Sequence, residues 1–128
     1  MSRQKGKRGE RELAQELRSK GFSGARRGQQ FSGIEGDDVV GIPGVHIECK
    51  RTETLSIYKA LEQADEDAQD GEVPVVFHRR SGKAWIAFVY LDDIDAFIER
   101  WTAGKPGTPP AGVEPDGGEA DPQPEDDG

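Results

Sequence analysis

The chain carries 25 acidic and 17 basic side chains in 128 residues, with a single cysteine. That length fits one domain, and a lone Cys49 excludes an intrachain disulfide and a cysteine-built zinc site. No stretch approaches a membrane span and the N-terminus lacks a secretory apolar region, so a cytoplasmic protein without a membrane partner is expected.

The net charge of −8 is unevenly spread. Residues 1–30 hold nine Lys or Arg against three Glu, residues 31–101 seven against fifteen acids, and residues 102–128 one against seven. A basic end can meet a polyanion, and an acidic middle can hold cations. Residues 102–128 are rich in Gly and Pro and have no aromatic side chain. Such a segment buries too little apolar surface to offset its ordering entropy. It reads as a disordered acidic tail, and residues 1–101 as the folded domain.

A first helix is expected from Lys5 to Ser19 or Lys20, stopped by Gly21. Leu13, Ala14 and Leu17 form its apolar stripe, and one step back along that stripe lies Glu10. A carboxylate there points at the rim of the core and needs a partner. A short strand follows from Phe22 to Arg27, then a polar, glycine-rich loop from Gly28 to Gly36 that contains Phe31. Asp37 to Gly41 reads as a strand, Ile42-Pro43-Gly44 as a turn, and Val45 to Arg51 as the returning strand. Alternation turns Val45, Ile47 and Cys49 inward and His46, Glu48 and Lys50 outward.

The second helix runs from Ser56 to Asp70, closed by Gly71, with Ile57, Leu61, Ala64 and Ala68 as its apolar line. Val73 to Arg80 and Ala84 to Tyr90 form a hairpin about Ser81-Gly82-Lys83. A third helix starts after Asp92 or Asp93 and buries Ile94, Phe97, Ile98 and Trp101. The order αβββαββα defines an α/β (α+β) sandwich around a mixed, mostly antiparallel central sheet flanked by helices.

The chemistry is concentrated in Glu48-Cys49-Lys50. A carboxylate and an ammonium two apart on a strand share one face. If the preceding turn centres on Ile42-Pro43, Asp38 falls beside Glu48, and the two carboxylates can share a cation. Mg²⁺ favours such oxygen ligands and would serve phosphodiester hydrolysis by activating water and neutralising charge on the phosphate. Lys50 could stabilise that developing charge, and Glu10 could add a ligand. An acidic residue two before a lysine arises by chance about once in a chain of this composition. Asp38 and Glu10 are what lift the pattern above an exposed ion pair. Arg26 and Arg27 could hold backbone phosphates, with Lys5, Lys7 and Arg8 extending the contact. Gln63 and His46 are possible accessory residues. The plainer readings are an exposed helix polar group for Gln63 and a neighbour rather than a ligand for His46.

The stretch from Lys5 to Leu13, with Leu17 and Lys20-Gly21-Phe22, resembles the opening of archaeal-type Holliday junction resolvases. So does Asp38-Val39-Val40-Gly41 followed by Ile47-Glu48-Cys49-Lys50. These enzymes belong to the PD-(D/E)xK nuclease superfamily, and the likeness covers roughly residues 5–90. It implies a restriction-endonuclease-like fold, with Mg²⁺ or Mn²⁺ on Glu10, Asp38 and Glu48 and with Lys50 as the catalytic lysine. It also implies a homodimer that cuts two strands of a four-way DNA junction. The residue before the motif aspartate is Asp37, where the superfamily's name has Pro. The alternatives are a branched-DNA or general repair nuclease of the same fold, a DNA-binding module with a vestigial site, and an acidic DNA mimic.

Overall fold

The computed structural model describes residues 2–28 and 38–105, with side chains from residue 7 onward. Phe31, Asp37, most of the Gly28–Gly36 loop and the tail from residue 106 lie outside the described residues, as does the side chain of Lys5.

The first helix, α1, spans Ser2–Ser19, three residues earlier than expected at its start. Leu13, Ala14 and Leu17 are all buried on one side of it, as their spacing requires. Each fully buried Leu contributes about 1.5–3 kcal/mol of transfer free energy. The strand expected from Phe22 shrinks to β1, Arg26–Arg27. Phe22 accepts a turn hydrogen bond from the Ala25 amide at 3.0 Å, which takes these residues out of any ladder. The next strand, β2, is Val39–Val40. It ends at Gly41, whose φ of 131° and whose approach to Ala25 (2.5 Å from an added Cβ to the Ala25 Cα) admit only glycine.

The third strand, β3, is Val45–Arg51, as expected. It pairs with β2 with Val39 opposite Ile47. After it come α2, Ile57–Asp67, and β4, Val73–Arg79. The second helix is shorter than expected because the backbone turns extended at Ala68. The last strand, β5, is only Ile86–Phe88, and a 3₁₀ turn at Leu91–Asp93 leads into α3, Ile94–Ala103. The sheet order is β1-β2-β3-β4-β5. Three pairings are antiparallel, and β3 with β4 is parallel. Parallel neighbours need a crossover, and α2 supplies it.

Helices cover both faces of the central strands. On one face Val39, Ile47, Val75 and Phe77 join the α1 stripe, with Phe97 and Trp101 of α3 packed against them. On the other, Val76 meets Ala60, Leu61 and Ala64 of α2. The first four residues of β3 are therefore all buried rather than alternating. His46 and Glu48, expected to face outward, are 1 % and 9 % exposed beneath α2.

No residue of helix α3 is fully buried. Trp101 sets its ring edge-on to Phe22 at 4.7 Å, but Ile98 is 55 % exposed rather than buried, and Thr102 and Ala103 continue the helix past the expected domain boundary. Ile57 also leaves the expected apolar line of α2, being 41 % exposed, while Ala60 takes its place. Among the described residues no helix is long and apolar enough to cross a membrane.

Candidate active site

Two adjacent strands bring Asp38 and Glu48 together. The Asp38 amide donates to the Ile47 carbonyl at 3.1 Å, continuing the register that sets Val39 opposite Ile47. Asp38 Oδ2 accepts from the Cys49 amide at 2.8 Å, which pins the carboxylate against β3. Burial first, then the negative charge of Glu48, pushes the Asp38 carboxyl up from 3.8 to about 7. Glu10 adds to the rise, while the Cys49 amide and Lys50 oppose it. Cys49 itself is half-buried, its thiol pushed well above the ordinary range by desolvation and these carboxylates.

Glu10 enters from α1, where Gly9 brings the helix onto β3. A Cβ at Gly9 would stand 2.5 Å from the Arg51 Cβ, so only glycine permits this approach. The partner Glu10 requires is Arg27, whose Nε lies 3.0 Å from Glu10 Oε1. Lys50 places its Nζ 3.8 Å from Glu48 Oε2 and is about one-third exposed. A half-buried group of hard oxygen donors, in which burial and then neighbouring negative charge raise the Asp38 carboxyl to about 7, fits a divalent cation.

Two further groups stand behind Glu48. His46 Nε2 is 3.3 Å from Glu48 Oε1, and its Nδ1 is 3.9 Å from Glu72 Oε1. Asp67, at the end of α2, places a carboxylate oxygen within 4.8 Å of both His46 and Glu48. Gln63 donates to both Asp67 oxygens, at 3.2 and 3.1 Å, and so touches the site only through Asp67. Asp67 was not singled out from the sequence, although its signal was present. The buried line Ala60–Ala64, continued by one turn, runs onto Asp67.

Glu12 was likewise missed. It lies 3.1 Å from Arg51 and 3.5 Å from Arg79, tying α1 to two strands away from the carboxylates. Lys7, Arg8 and Arg26 are exposed. Arg11, Arg18, Arg26 and Arg27 line a shallow groove between α1 and β1 with Gln15, a cationic track suited to phosphates. Replacing Lys7 and Arg8 together by Ala should weaken binding to every DNA and lower the slope of log K against log salt by about two. An unchanged slope in a fluorescence-anisotropy salt titration would remove these residues from the contact.

The mixed five-stranded sheet with its three helices agrees with the restriction-endonuclease-like fold, that of a class of nucleases. The match to a family is narrower. The family model described as archaeal Holliday junction resolvase (hjc) matches residues 1–97, and the chain belongs to that family. Its function is accordingly that of a Holliday junction resolvase, a nuclease acting on DNA. Comparison with curated proteins and with solved structures gave no significant match.

Proposed function

We propose that the chain hydrolyses phosphodiester bonds at four-way DNA junctions using Mg²⁺ (or Mn²⁺) held by Asp38, Glu48 and Glu10, with Lys50 as the catalytic lysine. The observation that carries this reading is Asp38 standing across from Glu48 beside Lys50, with its carboxyl pushed to about 7. When bound, the cation supplies positive charge at the phosphate and acidifies water. The Cys49 amide holds one Asp38 oxygen and leaves the other for a ligand. The Lys50 ammonium, partly exposed beside Glu48, can donate to a phosphate oxygen as charge builds there. Arg27 keeps Glu10 turned toward the ledge. No covalent enzyme intermediate is needed. Two symmetric cuts need two such sites, so the acting species is a homodimer. Exposed Ile86 and Ile98 flank an apolar cleft between α1, β5 and α3 that suits a second copy.

The test offers a four-way junction, a flap and a linear duplex to the protein, with Mg²⁺, Mn²⁺ or EDTA. Paired nicks in the junction alone, lost in EDTA and reduced about 100-fold or more in Glu48→Ala and Lys50→Ala, are expected. Cutting of all three substrates would replace this reading with a broader nuclease. Junction binding without cleavage, equal in wild type and variants, would reduce the chain to a binding module.

A further inference from the structure

We propose that His46, Glu48 and Asp67 form a second cation site, distinct from the three-carboxylate ledge and selective for a borderline transition ion such as Zn²⁺ or Co²⁺. The proposal rests on the reading of Glu48 above only in that Glu48 is shared. Its two oxygens face different groups, Oε1 toward His46 and Oε2 toward Lys50, so one carboxylate can serve both sites.

The donor spacing is one that an ion can bridge. A charge-assisted N–H···O bond measures about 2.7–2.9 Å, and His46 Nε2 to Glu48 Oε1 is longer at 3.3 Å. Two ligands each about 2.1 Å from one ion, at tetrahedral or octahedral angles, stand roughly 3.0–3.4 Å apart. The third donor, on Asp67, comes from a different element and lies within 4.8 Å of the other two, close enough to be drawn onto the same ion.

The surroundings add an independent argument. A ligating histidine commonly gives its second ring nitrogen to a carboxylate, and ligating carboxylates are themselves hydrogen-bonded. Glu72 faces His46 Nδ1 at 3.9 Å, and the Gln63 amide donates to Asp67. Asp67 is thus held by a residue outside the trio, and Glu72 places its charge near the far nitrogen of His46. His46 is 1 % exposed, so its imidazole is fixed in place by packing. A nitrogen donor in the set turns preference from Mg²⁺ and Mn²⁺ toward Zn²⁺ and Co²⁺.

The experiment titrates the full chain with Co²⁺, followed by its visible absorption, and with Zn²⁺ by calorimetry, both without DNA. Wild type should bind one tight equivalent, and Asp67→Asn and His46→Gln should weaken it at least tenfold. Asp67→Asn, on a half-exposed helix end, keeps the test valid if the buried His46 variant fails to fold. Asp38→Asn should leave this equivalent in place while losing Mg²⁺-dependent cleavage. Undiminished Co²⁺ affinity in Asp67→Asn, with loss in Asp38→Asn, would overturn the second site and leave the ledge standing. Absence of any tight Zn²⁺ equivalent would overturn it too.

Discussion

Asp38→Asn will abolish junction cleavage and, in EDTA, make the protein more stable than wild type at pH 8. The carboxyl of Asp38 is pushed from 3.8 to about 7, by burial first and by the negative charge of Glu48 second. A group whose pKa is higher in the folded state gives stability that is full below its unfolded value. That stability is lost as the pH rises through the folded value. The metal-free wild type therefore weakens between about pH 4 and pH 8. The full displacement corresponds to at most about 4 kcal/mol, and partial solvent access brings the expected loss to about 1–2 kcal/mol. Asparagine keeps an oxygen for the Cys49 amide and cannot ionise, so it removes this slope. Urea unfolding at pH 5 and pH 8, in EDTA, measures it. Parallel pH profiles for the two proteins would contradict the assignment. Below pH 7 a cation must also displace the Asp38 proton, so Mg²⁺ affinity should fall up to about tenfold per pH unit there.

The same pair shows where sequence reasoning succeeds. Val45–Arg51 was legible because β-branched residues alternate after a proline–glycine turn, and that turn's length fixed Asp38 opposite Glu48. Glu10 was legible through local helical spacing from Leu13 and Leu17. What local pattern could not reveal was the parallel contact of β3 with β4, which depends on α2 folding back across the sheet. That one long-range event buries His46 and Glu48 rather than exposing them, and it delivers Asp67 to them from 19 residues downstream of Glu48. The pairing of Glu12 with Arg51 and Arg79 is hidden for the same reason, since its partners lie on two strands distant in sequence. On α3 the apolar spacing was read correctly, but the helix lies at the edge of the core. Phe97 and Trp101 find partners there, whereas Ile98 does not.

Gly9→Ala should damage both stability and cleavage although it leaves every charged group of the site intact. Alanine is intrinsically better in a helix by about 1 kcal/mol, so the naive expectation is a more stable protein. The contact reverses that sign. An added Cβ would meet the Arg51 Cβ at 2.5 Å, and this atom is fixed to the β3 backbone rather than at the mobile end of a side chain. Relief requires α1 to lift from the strand, an overpacking cost of about 1–3 kcal/mol. Arg51 cannot yield freely either, since its guanidinium is held by Glu12 of the same helix. The functional consequence follows from the neighbouring residue. Glu10 moves with the helix and its Arg27 partner is pulled out of register, so the third carboxylate withdraws from Asp38. A misplacement of about 1 Å costs on the order of 100-fold in rate. Gly24→Ala is the matched control, because nothing lies within 4 Å of its added methyl. Thermal melts and single-turnover junction cleavage should separate the two variants. If Gly9→Ala melts and cleaves like wild type, close approach of α1 to β3 is not what positions Glu10.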